Sequence, residues 1–178
     1  MVRTSTQRLT TTEGAVLALL AIEGERSGYA LQRLAGKAIA HIWSPARSGL
    51  YASLPRLVKA GLASSRTAPG ERGPEKHLYA ITGAGREALS EWLEAVEPGA
   101  RETFFLKLFV GGLTTPDVVR GHVEQFRADT EERLAVLREI EPTNTGVGHD
   151  RFHRYLLELG IRRYEDELEW AEAVEASL

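Results

Sequence analysis

Apolar positions along the chain recur mostly every three or four residues, the rhythm of amphipathic helices, and one stretch breaks it. Ala15 to Ile22 is apolar on every side and predicts a buried helix. It follows Thr10-Thr11-Thr12-Glu13, a capping-box pattern in which a threonine oxygen takes an early N–H and Glu13 reaches back. Gly24 to Gly28 reads as a turn. Tyr29 to Ala40 reads as a second helix with Leu31, Leu34, Ala35, Ala38 and Ile39 on its apolar face. A third helix puts Leu50, Leu54, Leu57 and Val58 on one face and leaves Arg47, Ser48, Tyr51, Arg56 and Lys59 elsewhere. Ser44 suits its cap and Pro45 its first position, and Gly61 suits its stop.

The break in rhythm comes next. Leu62 to Thr67 and Lys76 to Ile81 read as two short strands. Between them, Ala68 to Pro74 is a turn rich in Gly and Pro. Thr82 caps a helix from Gly83 to about Val96, with Leu89, Trp92 and Leu93 among its apolar residues. Pro98-Gly99 marks a boundary. Glu102 to Val110 predicts an apolar helix stopped by Gly111-Gly112. A long helix then runs from the Thr115-Pro116 start, where a threonine is the expected cap, to about Ile140. The last helix spans about Asp150 to Leu178. It has two apolar faces, one through Leu157, Ile161, Tyr164, Leu168 and Ala171, the other through Phe152, Tyr155, Leu156 and Leu159. Two helices cannot cover both faces, so a second copy of the chain is expected about a two-fold axis.

The expected architecture is mainly α with a small β-hairpin. Residues 1–8 form a flexible arm, 9–97 a winged helix-turn-helix and 98–178 a helical dimerisation domain. A helix followed by a hairpin with a basic tip suits duplex DNA. The helix fits the major groove and the hairpin reaches the neighbouring backbone. In this frame Arg47 and Ser48 occupy the first turn, where base edges are read. Tyr51 and Arg56 add groove contacts, Arg72 and Lys76 meet phosphates from the wing, and Ser44 caps the reading helix. Trp43 reads as a core tryptophan; lining an effector pocket is the alternative.

Charge sharpens the picture. The net charge is −3, but residues 1–86 hold 12 Lys/Arg against 5 Asp/Glu, whereas residues 87–178 hold 10 against 20. A basic front half can meet a polyanion that an acidic back half avoids. There is no cysteine, so disulfides and thiolate metal sites are excluded. The five histidines show no ligand spacing, and no metal is expected. No Ser-His-Asp neighbourhood, phosphate loop or nucleotide fingerprint occurs, and Gly83-Ala84-Gly85 is a helix start. Neither an enzyme nor a cofactor is expected. No apolar run approaches the roughly 18 residues of a membrane span, and the expected location is the cytoplasm, on the nucleoid when DNA is bound.

The run Trp43-Ser44-Pro45, Gly49-Leu50-Tyr51, Leu54, Leu57, Gly61-Leu62, Gly73-Pro74, Tyr79, Ile81-Thr82 and Gly85 resembles the PadR family of bacterial transcription regulators, as does Gly28-Tyr29 at the opening of the second helix. The back half resembles that family's carboxy-terminal helical domain. The resemblance lies in Leu106-Lys107-Leu108-Phe109 before Gly111-Gly112, and in Leu157 to Ile161 with Glu169-Trp170. The resemblance implies a homodimeric repressor on an inverted-repeat operator, with a small aromatic effector as a possible further partner. Phe105, Leu108, Phe109, Leu157, Ile161, Tyr164 and Leu168 are the expected dimer contacts. One departure stands out: Ala52 replaces the usual proline after the tyrosine, and Pro55 sits where a polar residue is usual. A proline inside a helix removes a backbone bond and clashes one turn back, so the third helix is expected to kink near Tyr51 or to start late. A helical protein-interaction adaptor that uses the winged fold without DNA is the reading from a different class.

Overall fold

The computed structural model describes residues 8–38, 47–69, 75–144, 147 and 150–178. They form α1 (Thr11–Glu23), β1 (Arg26–Ser27), α2 (Gly28–Ala38), α3 (Arg47–Lys59), β2 (Ala63–Ala68), β3 (Lys76–Ile81), α4 (Gly83–Glu94), α5 (Arg101–Phe109), α6 (Pro116–Ile140) and α7 (Asp150–Ser177). The chain divides into two compact units, residues 1–95 with 105–114, and residues 96–104 with 115–178. The chain passes between the units after Ala95, again within α5 after Phe104, and again after Thr114.

The first unit is built around α1. Ala15 through Leu20 are all buried, and α1 packs on α3 and α4. The capping box forms as its sequence predicts. The Glu13 N–H donates to Thr10 Oγ1 at 3.3 Å and the Thr10 N–H to Glu13 Oε2 at 3.0 Å. A Cβ on Gly14 would lie 2.5 Å from the Trp92 ring, so glycine lets the α4 indole lie directly on the α1 backbone. Leu106 of α5 and Val110 just after it complete this core. Lys107 is buried with them; its ammonium donates to the Ala95 carbonyl at the end of α4 and lies 4.9 Å from the centre of the Trp92 ring. A cation is favourable there because the last carbonyls of a helix carry partial negative charge.

The sheet has three antiparallel strands in the order β1-β3-β2. Arg26 and Ser27, expected in a turn, instead pair with Tyr79 and Leu78. Two residues are too few for alternation to reveal a strand. The β2–β3 register runs from Ala63↔Ile81 to Ala68↔Lys76, so β3 has its expected bounds. Gly61 adopts φ +74°. Its N–H reaches Val58 O at 3.0 Å, and the Leu62 N–H reaches Leu57 O at 2.9 Å, the paired closure that ends α3.

In the second unit α6 and α7 run antiparallel, as the ion pairs Arg138–Glu165 (2.8 Å) and Arg127–Glu175 (2.9 Å) require. Thr115 stands before α6 without a side-chain cap bond, contrary to the expected threonine cap; proline occupies the first turn. Phe104 stacks on Phe126 with centroids 4.4 Å apart, and Trp170 meets both rings edge-on at 6.2 and 5.7 Å. Arg101 lies 5.3 Å from the Phe126 centroid and donates two 2.6 Å hydrogen bonds to Glu167. Burial pushes the Glu167 carboxyl upward, but hydrogen bonds from Arg101 and Arg163 outweigh it and hold the group below its ordinary value. Leu157 is buried, and Ile161, Tyr164 and Leu168 are half-buried in the same chain. Phe152, Tyr155, Leu156 and Leu159 are exposed at 57, 59, 70 and 63%.

Candidate nucleic-acid interface

The α2–α3 pair forms the helix-turn-helix. Gly28 opens α2 directly against α3; a Cβ there would lie 3.0 Å from the Tyr51 ring and 3.1 Å from Leu54. The inner face of α3 is Leu50, Ser53, Leu54 and Leu57, all at 1% exposure or less. Ser53 is tolerated there because its hydroxyl donates to the Leu50 carbonyl at 2.7 Å. Opposite lie Ser48, Tyr51, Ala52, Pro55, Arg56 and Lys59, all exposed and all on one helical face. Arg47 lies in the first turn of the same helix.

Pro55 does not delay the helix. The helix starts at Arg47 and continues through Pro55 to Lys59. Because Pro55 lies on the exposed face, the backbone bond it forfeits belongs to the side that water reaches. No residue of α3 is acidic, whereas Arg56 and Lys59 stand in its last turn. The exposed face therefore offers hydroxyl, phenol and cationic donors without a carboxylate.

The proposed contacts differ in how they are held. Tyr51 is 40% exposed and its ring is backed by Gly28. The Arg56 Nε–H donates to Glu13 Oε1 at 3.1 Å, which ties α3 to α1. Lys76 is half-buried at the start of β3. Trp43, Ser44 and Pro45, with Ile39 and Ala40, lie outside the described residues, as do Arg72 and the rest of the 70–74 turn.

Two features were not anticipated from sequence. Tyr29 is 62% exposed in the first turn of α2, where the Ala30 N–H donates to Ser27 Oγ at 3.3 Å. The wing stem is partly neutralised. Arg66 Nε donates to Glu25 Oε1 at 2.7 Å and its NH2 to Oε2, a two-pronged pair. That pairing holds the Glu25 carboxyl below its usual range and raises the Arg66 guanidinium further. A serine before a helix was a legible signal for the first feature. A partner 41 residues away leaves no local signal for the second.

Among the described residues no group of three or more His, Asp or Glu could hold a metal ion, and no helix is long and apolar enough to cross a membrane.

Residues 16–91 match the model described as the transcriptional regulator PadR-like family, and residues 100–178 the one described as virulence activator alpha C-term. The chain is 25% identical over 178 residues to the negative transcriptional regulator PadR of Bacillus subtilis, covering 92% of this chain and 95% of that one. It is 26% identical over 173 residues to the probable transcriptional regulator Rv1176c of Mycobacterium tuberculosis, covering 88% and 92%. The crystal structure of Bacillus subtilis PadR in complex with operator DNA aligns at 21% identity with a TM-score of 0.49, covering 97% of this chain and all of that one.

Proposed function

We propose that the chain, whose residues 16–91 match the PadR-like family model, is a regulator of that kind and represses transcription as a homodimer bound to an inverted-repeat DNA operator. The observation that carries this reading is the outer face of α3, exposed and free of carboxylates. Two such helices enter successive major grooves about 34 Å apart. Arg47 and Ser48 read base edges from the first turn of α3. Tyr51 and Arg56 extend the contact, with Ser44 at the helix entry, and Lys76 and Arg72 meet phosphates from the wing. Repression is supported by the negative regulator among the relatives. Binding takes place in the cytoplasm, on the nucleoid.

For dimerisation the more exposed of the two α7 faces is the one we infer to be the interface. Leu157 is buried and Ile161, Tyr164 and Leu168 are half-buried within the chain, whereas Phe152, Tyr155, Leu156 and Leu159 form an exposed stripe at i, i+3, i+4 and i+7. A second copy covers that stripe. Of the remaining expected contacts, Phe105 and Leu108 are half-buried and only Phe109, at 43%, is exposed. The DNA-binding part is then 9–97 and the dimerising part 98–178, with 105–114 contributing to the first core. A small aromatic effector is the regulatory input. By favouring a helix separation that does not match successive grooves, it releases DNA.

Titrating salt against a fluorescent duplex tests the reading. Specific affinity is expected in the range of about 10⁻⁸ to 10⁻¹¹ M. Its logarithm should fall linearly with that of salt, by about 0.9 for each phosphate neutralised. A protein-interaction adaptor would show no duplex affinity at any salt.

A further inference from the structure

Glu13 makes more contacts than a helix cap requires. It is 7% exposed, and its Oε2 accepts both the Thr10 N–H at 3.0 Å and the Thr10 hydroxyl at 2.9 Å. Its Oε1 accepts the Arg56 Nε–H at 3.1 Å, from a residue 43 positions along the chain. The carboxylate is thus fixed from behind by the first turn of α1 and faces the last turn of α3. Arg56 itself is 57% exposed. Of its five N–H donors, only the Nε–H has a partner among the described residues. The four on the terminal nitrogens remain for a ligand at the exposed edge of α3.

We propose that Glu13 is a positioning residue for DNA recognition, holding the Arg56 guanidinium by Nε so that its two terminal nitrogens are aimed at the duplex. The inference rests on the reading of α3 as the DNA-contacting helix. A free arginine must give up its rotamer freedom on binding, whereas one already bonded at Nε has less to lose. The carboxylate therefore raises affinity where the fork must fit one geometry. It does little where any cation near a phosphate suffices.

The capping box makes the test clean. Glutamine also serves at the third position of such a box, so Glu13→Gln keeps α1 capped while removing the charge that holds Arg56. Full-length protein is titrated with a duplex selected by the wild-type chain from a randomised pool, and with a scrambled duplex of equal length. Glu13→Gln should weaken binding to the selected duplex about tenfold, mid-range for groups sharing one network. Binding to the scrambled duplex should stay within about twofold, because the arginine charge remains. In an Arg56→Ala background, Glu13→Gln should add nothing. Arg56→Lys, which keeps the charge but loses the fork, should reproduce the selective loss without touching α1.

An unchanged ratio between the two duplexes in both Glu13→Gln and Arg56→Lys overturns the inference. So does tighter binding to both duplexes in Glu13→Gln, which would make Glu13 a mere competitor of phosphate, and so does additivity with Arg56→Ala. If the wild-type chain prefers no duplex at all, the underlying reading of α3 falls first. That result is recognisable before any variant is measured.

Discussion

Replacing Leu156 and Leu159 together by glutamate is expected to turn the assembly into monomers and to lower affinity for the selected duplex by about a hundredfold or more. The two leucines are 70 and 63% exposed in the single chain and sit within the stripe that includes Phe152 and Tyr155. Covering such side chains contributes about 1.5–3 kcal/mol each relative to leaving them in water, and a two-fold interface counts every one twice. Glutamates would have to be desolvated opposite their own symmetry mates, which reverses the sign of the contribution. The loss of DNA affinity follows from linkage, since two half-sites bound by one dimer act as a multivalent contact and two monomers do not. Sedimentation should show a species near 19.6 kDa in place of about twice that mass, with helical content unchanged. A variant that stays dimeric would remove the stripe from the interface. Charges at Ile161 and Leu168 should act differently. Both side chains are half-buried within their own chain, and the result there should be loss of helix rather than clean dissociation.

Gly85→Ala is expected to lower stability by about 3 kcal/mol, the upper part of the range for an overpacked site, and the melting temperature by about 10 °C. A Cβ at this position would lie 2.0 Å from the Leu62 carbonyl oxygen, which is backbone and cannot rotate away. That oxygen accepts the Thr82 N–H at 3.1 Å. Thr82 in turn donates its hydroxyl to the Gly61 carbonyl at 2.7 Å and accepts the Gly85 N–H at 3.0 Å. Pushing Leu62 aside therefore disturbs the end of α3, the start of β2 and the cap of α4 together. Duplex affinity should fall with stability, because β2 and β3 form the wing. A melt within about 2 °C of wild type would show that helix and strand separate at little cost and that the close approach is incidental.

What could be read from the sequence was mostly local. The Thr10–Glu13 box, the Thr82 cap, the Gly61 stop and the inner face of α3 each rest on residues within one or two turns. The β3 bounds were legible because Pro and Gly punctuate the turn before them and Thr82 follows. Long-range pairings were not. The Arg56–Glu13 and Arg66–Glu25 bonds join residues more than forty positions apart, and either arginine alone looks like a solvated surface charge. Lys107 is a lone cation in an apolar stretch of α5, and only the end of α4 explains its burial.

The α7 helix shows the same limit differently. Its periodicity revealed two apolar faces, but periodicity says nothing about what covers each. The Leu157–Leu168 face is partly covered within the chain, and the Phe152–Leu159 face is exposed. From sequence alone Pro55 threatens α3, because its cost depends on which side of the helix loses a bond. On the exposed side the helix continues.

The proposed function requires that the outer face of α3 read base edges, beginning at Arg47. Selecting duplexes from one randomised pool with the wild-type chain and with Arg47→Ala measures this directly. Both should select an inverted repeat, with preference lost at one base-pair position in each half-site of the variant and affinity reduced by about 1–3 kcal/mol. The same consensus and the same affinity from both proteins would contradict it.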